Sequence, residues 1–168
     1  MQWRLSHRFD PKALPLADRH YNRQKPGTPQ FVPPGRCVVL LAGEPASALW
    51  VTSYPMAEYT HHAWAGAWVC SCFRREGGAR ASDLIREAVA ATRAVYGDPP
   101  ALGMITFIDR QKVPPLHTRN GDIWGYTYRK AGFVEVGETK VNHLLCLQLL
   151  PEAMPPARAA IGSQVALW

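Results

Sequence analysis

The sequence predicts an α+β domain in which helices flank a mixed, mostly antiparallel sheet. Three observations carry that expectation. Apolar runs too short for helices and bounded by turn residues occupy 37–42, 48–54 and 64–73. A helical period appears at full length only over 82–96, and a further apolar run at 102–108 follows it. The 168 residues are 47% hydrophobic with six tryptophans, enough for one packed domain and too apolar for a disordered chain. No apolar run nears the ~20 residues that span a bilayer, so no membrane is expected as a partner. The polar opening, Gln2-Trp3-Arg4-Leu5-Ser6-His7-Arg8, lacks the pattern of a signal peptide.

Residues 1–36 read as a basic, proline-rich arm, with one short helical stretch, Leu16 to Gln24, ended by Pro26-Gly27. Cys37–Ala42 is then a buried strand, Ala48–Tyr54 its antiparallel return, and Trp64–Phe73 a third strand. Cys70 and Cys72, two apart, are expected on one face of that strand. Ser82 can cap a helix bearing Leu84, Ala88, Ala91 and Val95 on one stripe, stopped by Gly97 and Pro99-Pro100. Leu102–Ile108 follows as a buried strand, making the helix a parallel crossover. After a basic loop, Asn120-Gly121-Asp122 is read as the cap of a helix carrying Trp124, Tyr128 and Ala131, closed by Gly132. Phe133–Val136 and His143–Leu150 form a final hairpin, which completes a domain over 37–150. The Pro/Ala-rich tail, 151–168, is expected to pack over the surface or onto a partner, a second copy of the chain included.

Four cysteines without a CxxC pair exclude a zinc ribbon and favour a reduced, cytoplasmic setting. The net charge of +6 is concentrated. Residues 1–36 hold seven Lys/Arg against Asp10 and Asp18, and residues 110–130 hold five against Asp122 alone. Arg19, Arg23, Lys25, Arg110, Lys112 and Arg119 are thus candidate phosphate contacts, because neutralising phosphates releases counterions. A solvated basic surface would look the same.

Arg74-Arg75-Glu76-Gly77-Gly78-Ala79, between a strand and a helix, fits the pattern R-x-x-G-x-A. Small residues there let backbone amides and a helix N-terminus approach a pyrophosphate, which makes Arg74, Gly77, Gly78 and Ala79 candidate donor contacts. A plain Gly-Gly turn is the competing reading. Together with the later Tyr128-Arg129-Lys130-Ala131-Gly132-Phe133, this order of elements resembles the GNAT superfamily of N-acyltransferases over residues 37–150. The late motif matches well and the loop minimally. A narrower likeness lies in His20-Tyr21-Asn22-Arg23-Gln24-Lys25-Pro26-Gly27, Phe31-Val32-Pro33-Pro34-Gly35 and Thr106-Phe107-Ile108-Asp109. These segments resemble the Mom-type proteins, GNAT-like enzymes of phages that convert adenine N6 in DNA to a carbamoylmethyl derivative and so shield it from restriction.

That resemblance implies double-stranded DNA with a flipped adenine as partner and the cytoplasm of a bacterial host as the setting. It implies roles for His20 and Tyr21 in base stacking or proton transfer, for Asp109 in accepting a proton or orienting the amine, and for Tyr128 in protonating the leaving group. Asp109 also suits a strand-ending turn, and Tyr128 also suits packing beside Trp124. The donor is an acyl-CoA or a glycyl donor such as glycyl-tRNA, which would add tRNA to the partners. Whether a metal is held, the residues leave open. An ordinary CoA-dependent N-acetyltransferase acting on a small amine or protein is the alternative, and a non-catalytic nucleic-acid-binding domain a third reading.

Overall fold

The arm contributes to the sheet. In the computed structural model, which describes residues 2–162, β1 (Trp3–Leu5) pairs antiparallel with β2 (Arg36–Ala42). Trp3 anchors it: the ring is buried, and its indole N–H donates to the Leu84 carbonyl at 2.8 Å. Three residues with no second repeat carry no periodicity, so this strand was invisible in sequence. The arm's helix α1 (Leu14–Asp18) is shorter and earlier than expected, with proline in its first turn and Leu16 and Ala17 buried.

β2 pairs with β3 (Ala48–Tyr54), and β3 with β4 (Trp68–Arg75), all antiparallel. Helix α2 (Ala81–Tyr96) crosses over to β5 (Met104–Ile108), which pairs parallel with β4 as anticipated. Ser82 lies inside the first turn rather than at the cap; Arg80 holds the cap position and makes no side-chain cap bond. Chain 116–123 is a hairpin, β6 (Leu116–Thr118) with β7 (Gly121–Ile123), where a helix start was expected. Arg119 and Asn120 make the hairpin turn, and Gly121, at φ 110°, opens β7 opposite Thr118. Only then comes α3 (Tyr126–Lys130). β8 (Val134–Glu138) and β9 (Leu145–Leu149) complete a seven-stranded sheet in the order β1-β2-β3-β4-β5-β9-β8.

One face of the sheet packs Trp50, Trp68, Met104 and Leu147 against Leu84, Ile85, Ala88 and Val89 of α2. The other sets Val39, Leu41 and Val51 under Leu16 and Ala17 of α1. Cys70 belongs to the first layer and Cys72 to the second, which corrects the expectation of a shared face. The cause is a bulge: Val51 pairs with Cys72 and Thr52 with Cys70, so Ser71 is the extra residue and the alternation flips. All four cysteines are free. The tail runs along α2, where Arg158 N–H donates to the Ala90 carbonyl and Arg93 to the Pro155 carbonyl. Its described part reaches β1, with Ile161 bridged to Arg4. Residues 163–168, including the terminal Trp168 of the expected tail, lie outside the described residues.

Candidate functional site: a bridged gap between two parallel strands

β4 and β5 stay paired only from Trp68–Met104 to Cys70–Thr106. Beyond Cys70, β4 continues to Arg75 and β5 to Ile108 without pairing to each other. Peptide groups along the two inner edges are thereby released from the ladder, which is how a sheet can expose N–H groups to a ligand. A cleft of about 650 Å³ fills the gap; its walls include Ser71–Arg75, Thr106–Ile108, the β6–β7 hairpin and α3.

The arm crosses this opening. The Tyr21 hydroxyl donates to the Phe107 carbonyl of β5 at 3.3 Å, and the Asn22 amide donates to the Ser71 carbonyl of β4 at 2.8 Å. Residues 19–22 therefore span the two diverging strands and line the cleft. His20 stacks on Tyr21, with ring centroids 4.7 Å apart, and its Nδ1 lies 2.5 Å from the Asn22 Oδ1. Burial holds the His20 ring below the usual imidazole range, helped by the Arg74 charge and opposed by Asn22 and the Phe73 carbonyl. Burial raises the Tyr21 phenol above its ordinary value.

Tyr128 enters from α3. Its hydroxyl lies 3.6 Å from the Cys70 sulfur, at the last rung of the β4–β5 ladder, and its ring packs edge-on against Phe73 and Phe133. Burial, with Cys70 beside it, pushes this phenol well above its ordinary value, so it keeps its proton at neutral pH. Gly125 makes the placement feasible: at φ 70° it opens α3, and a Cβ there would lie 2.4 Å from Leu147 Cδ1 and 2.7 Å from Ile108 Cδ1. Asp109 is used locally. Its carboxylate accepts from the Gln111 N–H at 3.0 Å, and its carbonyl accepts from Lys112 and Val113, a strand-ending turn.

At the other end of the cleft lies the β4–α2 loop. Gly78 adopts φ 90°, and Arg75 donates to the Gly78 and Ala79 carbonyls. The start of α2 carries no side-chain cap, so its first N–H groups are available to an anion. Glu76, a residue the sequence pattern treats as arbitrary, holds the arm down. Its carboxylate accepts from Arg19 at 2.6 and 2.7 Å and from Arg74 at 2.9 Å, while Arg74 also donates to the Arg19 carbonyl at 3.0 Å. Those guanidinium bonds, Arg19's foremost, hold the Glu76 carboxyl down to about 2.

The candidate phosphate contacts divide. Arg19 is paired with Glu76, and Arg110 with Glu138. Arg23 is nearly buried and spends its donors on Asp18, Thr28 and Gln30, which closes the arm's own loop. Lys25, Lys112 and Arg119 are exposed and, among the described residues, form no ion pair; Lys112 lines the cleft and Arg119 sits in the β6–β7 turn. Among the described residues, no group of three or more His, Cys, Asp or Glu side chains is arranged to hold a metal ion. Asn22 and Glu76 had no assigned role in the sequence. Their signal was position alone, one following the His-Tyr pair and the other inside the loop pattern.

No protein-family model matches the chain, and no curated protein matches it. Its fold does match a solved one, the crystal structure of an acetyltransferase from Thermus thermophilus. The two are 15% identical, and the match covers 89% of this chain and 97% of that chain with a TM-score of 0.52. Sheet order, a single crossover helix and the opening between β4 and β5 together make this a GNAT-like fold.

Proposed function

We propose that the chain is a GNAT-like acyl-transferring enzyme whose acceptor is the N6 amine of an adenine flipped out of double-stranded DNA, yielding a carbamoylmethyl-type derivative. The observation that carries this reading is the bridge: an arm bearing His20 and Tyr21 spans the gap into which Tyr128 projects. Exposed cations at Lys25, Lys112 and Arg119 supply phosphate contacts around it.

An exocyclic adenine amine is a poor nucleophile, so the site must position it, remove its proton and stabilise the developing oxyanion. The donor supplies an activated carbonyl, a thioester in acyl-CoA or an ester in glycyl-tRNA. The β4–α2 loop, with Gly78 at positive φ and an uncapped helix start beside Arg74, suits its phosphates. His20, held neutral, takes the proton from the amine as the new C–N bond forms. Released N–H groups along β4 face the carbonyl oxygen. As the bond to the leaving sulfur or oxygen breaks, Tyr128, which retains its proton, passes it to that atom. Asp109 keeps the end of β5 in shape.

With a glycyl donor the first product is an amide with a free terminal amine. That amine reaches adenine C6 through a five-membered ring, and collapse exchanges the two nitrogens, an isomerisation that needs no further reactant. Nucleoside mass analysis of DNA from cells expressing the protein tests the reading. A new adenine derivative is expected, reduced about 100-fold or more in Tyr128→Phe. Unmodified DNA, together with thermal stabilisation by acetyl-CoA, would favour the ordinary N-acetyltransferase instead.

A further inference from the structure

We propose that Asn22 is a positioning residue that fixes the tautomer of His20, holding the proton on Nδ1 and leaving the lone pair on Nε2. The argument starts at a main-chain carbonyl. The Ser71 oxygen can only accept, and it lies 2.8 Å from one end of the Asn22 amide. That end must be Nδ2, so Oδ1 is the end turned toward His20, 2.5 Å from Nδ1. Oδ1 can only accept in turn, and a bare Nδ1 facing it would set two lone pairs against each other. The Asn22 main-chain N–H also faces Nδ1, but at 3.4 Å it is too long to outweigh that repulsion. Nδ1 therefore carries the proton, and in a neutral ring Nε2 does not.

Ser71 is the extra residue of the β4 bulge, and its carbonyl is turned to the arm. One side chain thus reads the bulge at one end and sets the imidazole at the other. The remaining neighbours of the ring are compatible with this arrangement. Tyr21 covers it, Arg74 disfavours a positive charge, and the Phe73 carbonyl favours the charged ring. His20 then rests neutral with the Nε2 lone pair free to take a proton, as a base for an amine requires. The tautomer stands on geometry alone, whereas the role as base rests on the transferase reading.

The test uses the full chain without any substrate. Long-range proton–nitrogen NMR of His20 is expected to show Nδ1–H in the wild type. In Asn22→Ala it should change to Nε2–H, the form imidazole prefers in water, and in Asn22→Asp, which keeps the acceptor, it should remain Nδ1–H. Unchanged melting temperatures would show that the arm's surroundings are intact. Given transferase activity, Asn22→Ala should lower kcat about 10- to 100-fold with little change in KM, and Asn22→Asp should recover part of it. A wild-type ring found as Nε2–H, or an Asn22→Ala ring still Nδ1–H, overturns the proposal. Absence of DNA modification would count against the function and leave the tautomer result standing.

Discussion

The two basic segments, 1–36 and 110–130, have the same signature in sequence and different uses in the fold. In the arm, Arg4 donates to the Gly43 carbonyl, Arg8 to the Gly35 carbonyl, Arg19 to Glu76 and Arg23 to three partners. Those cations hold a proline-rich chain in place where few apolar side chains are available. In the later segment Arg110 and Arg129 are likewise paired, with Glu138 and Glu135, and packing adds to them. Gly125 sits against Leu147 and Ile108, and the Trp124 indole donates to the Val113 carbonyl at 2.8 Å. Its Lys112 and Arg119 are left to solvent. Net charge alone therefore does not locate a phosphate-binding surface; the separating fact is whether each cation already has an anion or carbonyl inside the fold.

The contrast can be broken at either side. Gly125→Ala should have the largest effect, because it adds a methyl into occupied core at a left-handed φ. A loss of about 3 kcal/mol is expected, read by urea unfolding. Arg23→Ala should cost about 2 kcal/mol by the same measurement, since its removal takes the guanidinium from Asp18, which keeps only the Gly27 N–H, and from two carbonyls. A near-zero cost would mean that the arm's cations are ornamental and the contrast false.

A finer test uses pH. The Glu76 carboxyl is held to about 2 from an ordinary value of 4.5, so its contribution to stability is complete above the ordinary value. It is then lost as pH falls toward the depressed one. The melting-temperature gap between wild type and Glu76→Gln should accordingly be present at neutral pH and close during acidification. A gap that persists undiminished in acid would show that the carboxylate charge is not what holds the arm. The smallest structural effect is expected for Arg119→Ala: stability within about 0.5 kcal/mol of wild type. Its effect belongs to binding, where the salt dependence of duplex DNA affinity should lose a slope of about 0.9. An unchanged slope would remove Arg119 from the phosphate contacts.

Legibility in the sequence followed the same divide between repeating and singular features. The strands near 37–42, 48–54 and 102–108 and the helix over 82–96 repeat an apolar period long enough to be read. β1 offers only Trp3 and Leu5, and its pairing depends on a partner more than thirty residues away. The β6–β7 hairpin was readable and misread. Asn120-Gly121 is a strong turn signal, and taking it as a helix cap hid two short strands. At the site, His20, Tyr21 and Tyr128 were singled out by motif, and all three line the cleft. Asn22 and Glu76 escaped because their importance is a matter of what lies opposite them in space. The bulge at Ser71 escaped for a similar reason: it exists only in the register against β3.

That bulge has a practical consequence. It turns Cys72 away from the α2 layer and places it beneath α1, at the wall of the cleft, where burial raises its thiol far above the ordinary range. Cys146, pushed up to about 12 by burial, is sealed in the core; Cys70, likewise about 12, borders the same cleft, and Cys37 is half-buried at the start of β2. An excursion that lifts the arm from β4 uncovers the edge of β4 that carries Cys72. Its rate of alkylation under native conditions, read apart from Cys37 and Cys70 by peptide mass analysis, is then a clock for that opening, wired into the wild-type chain without a label.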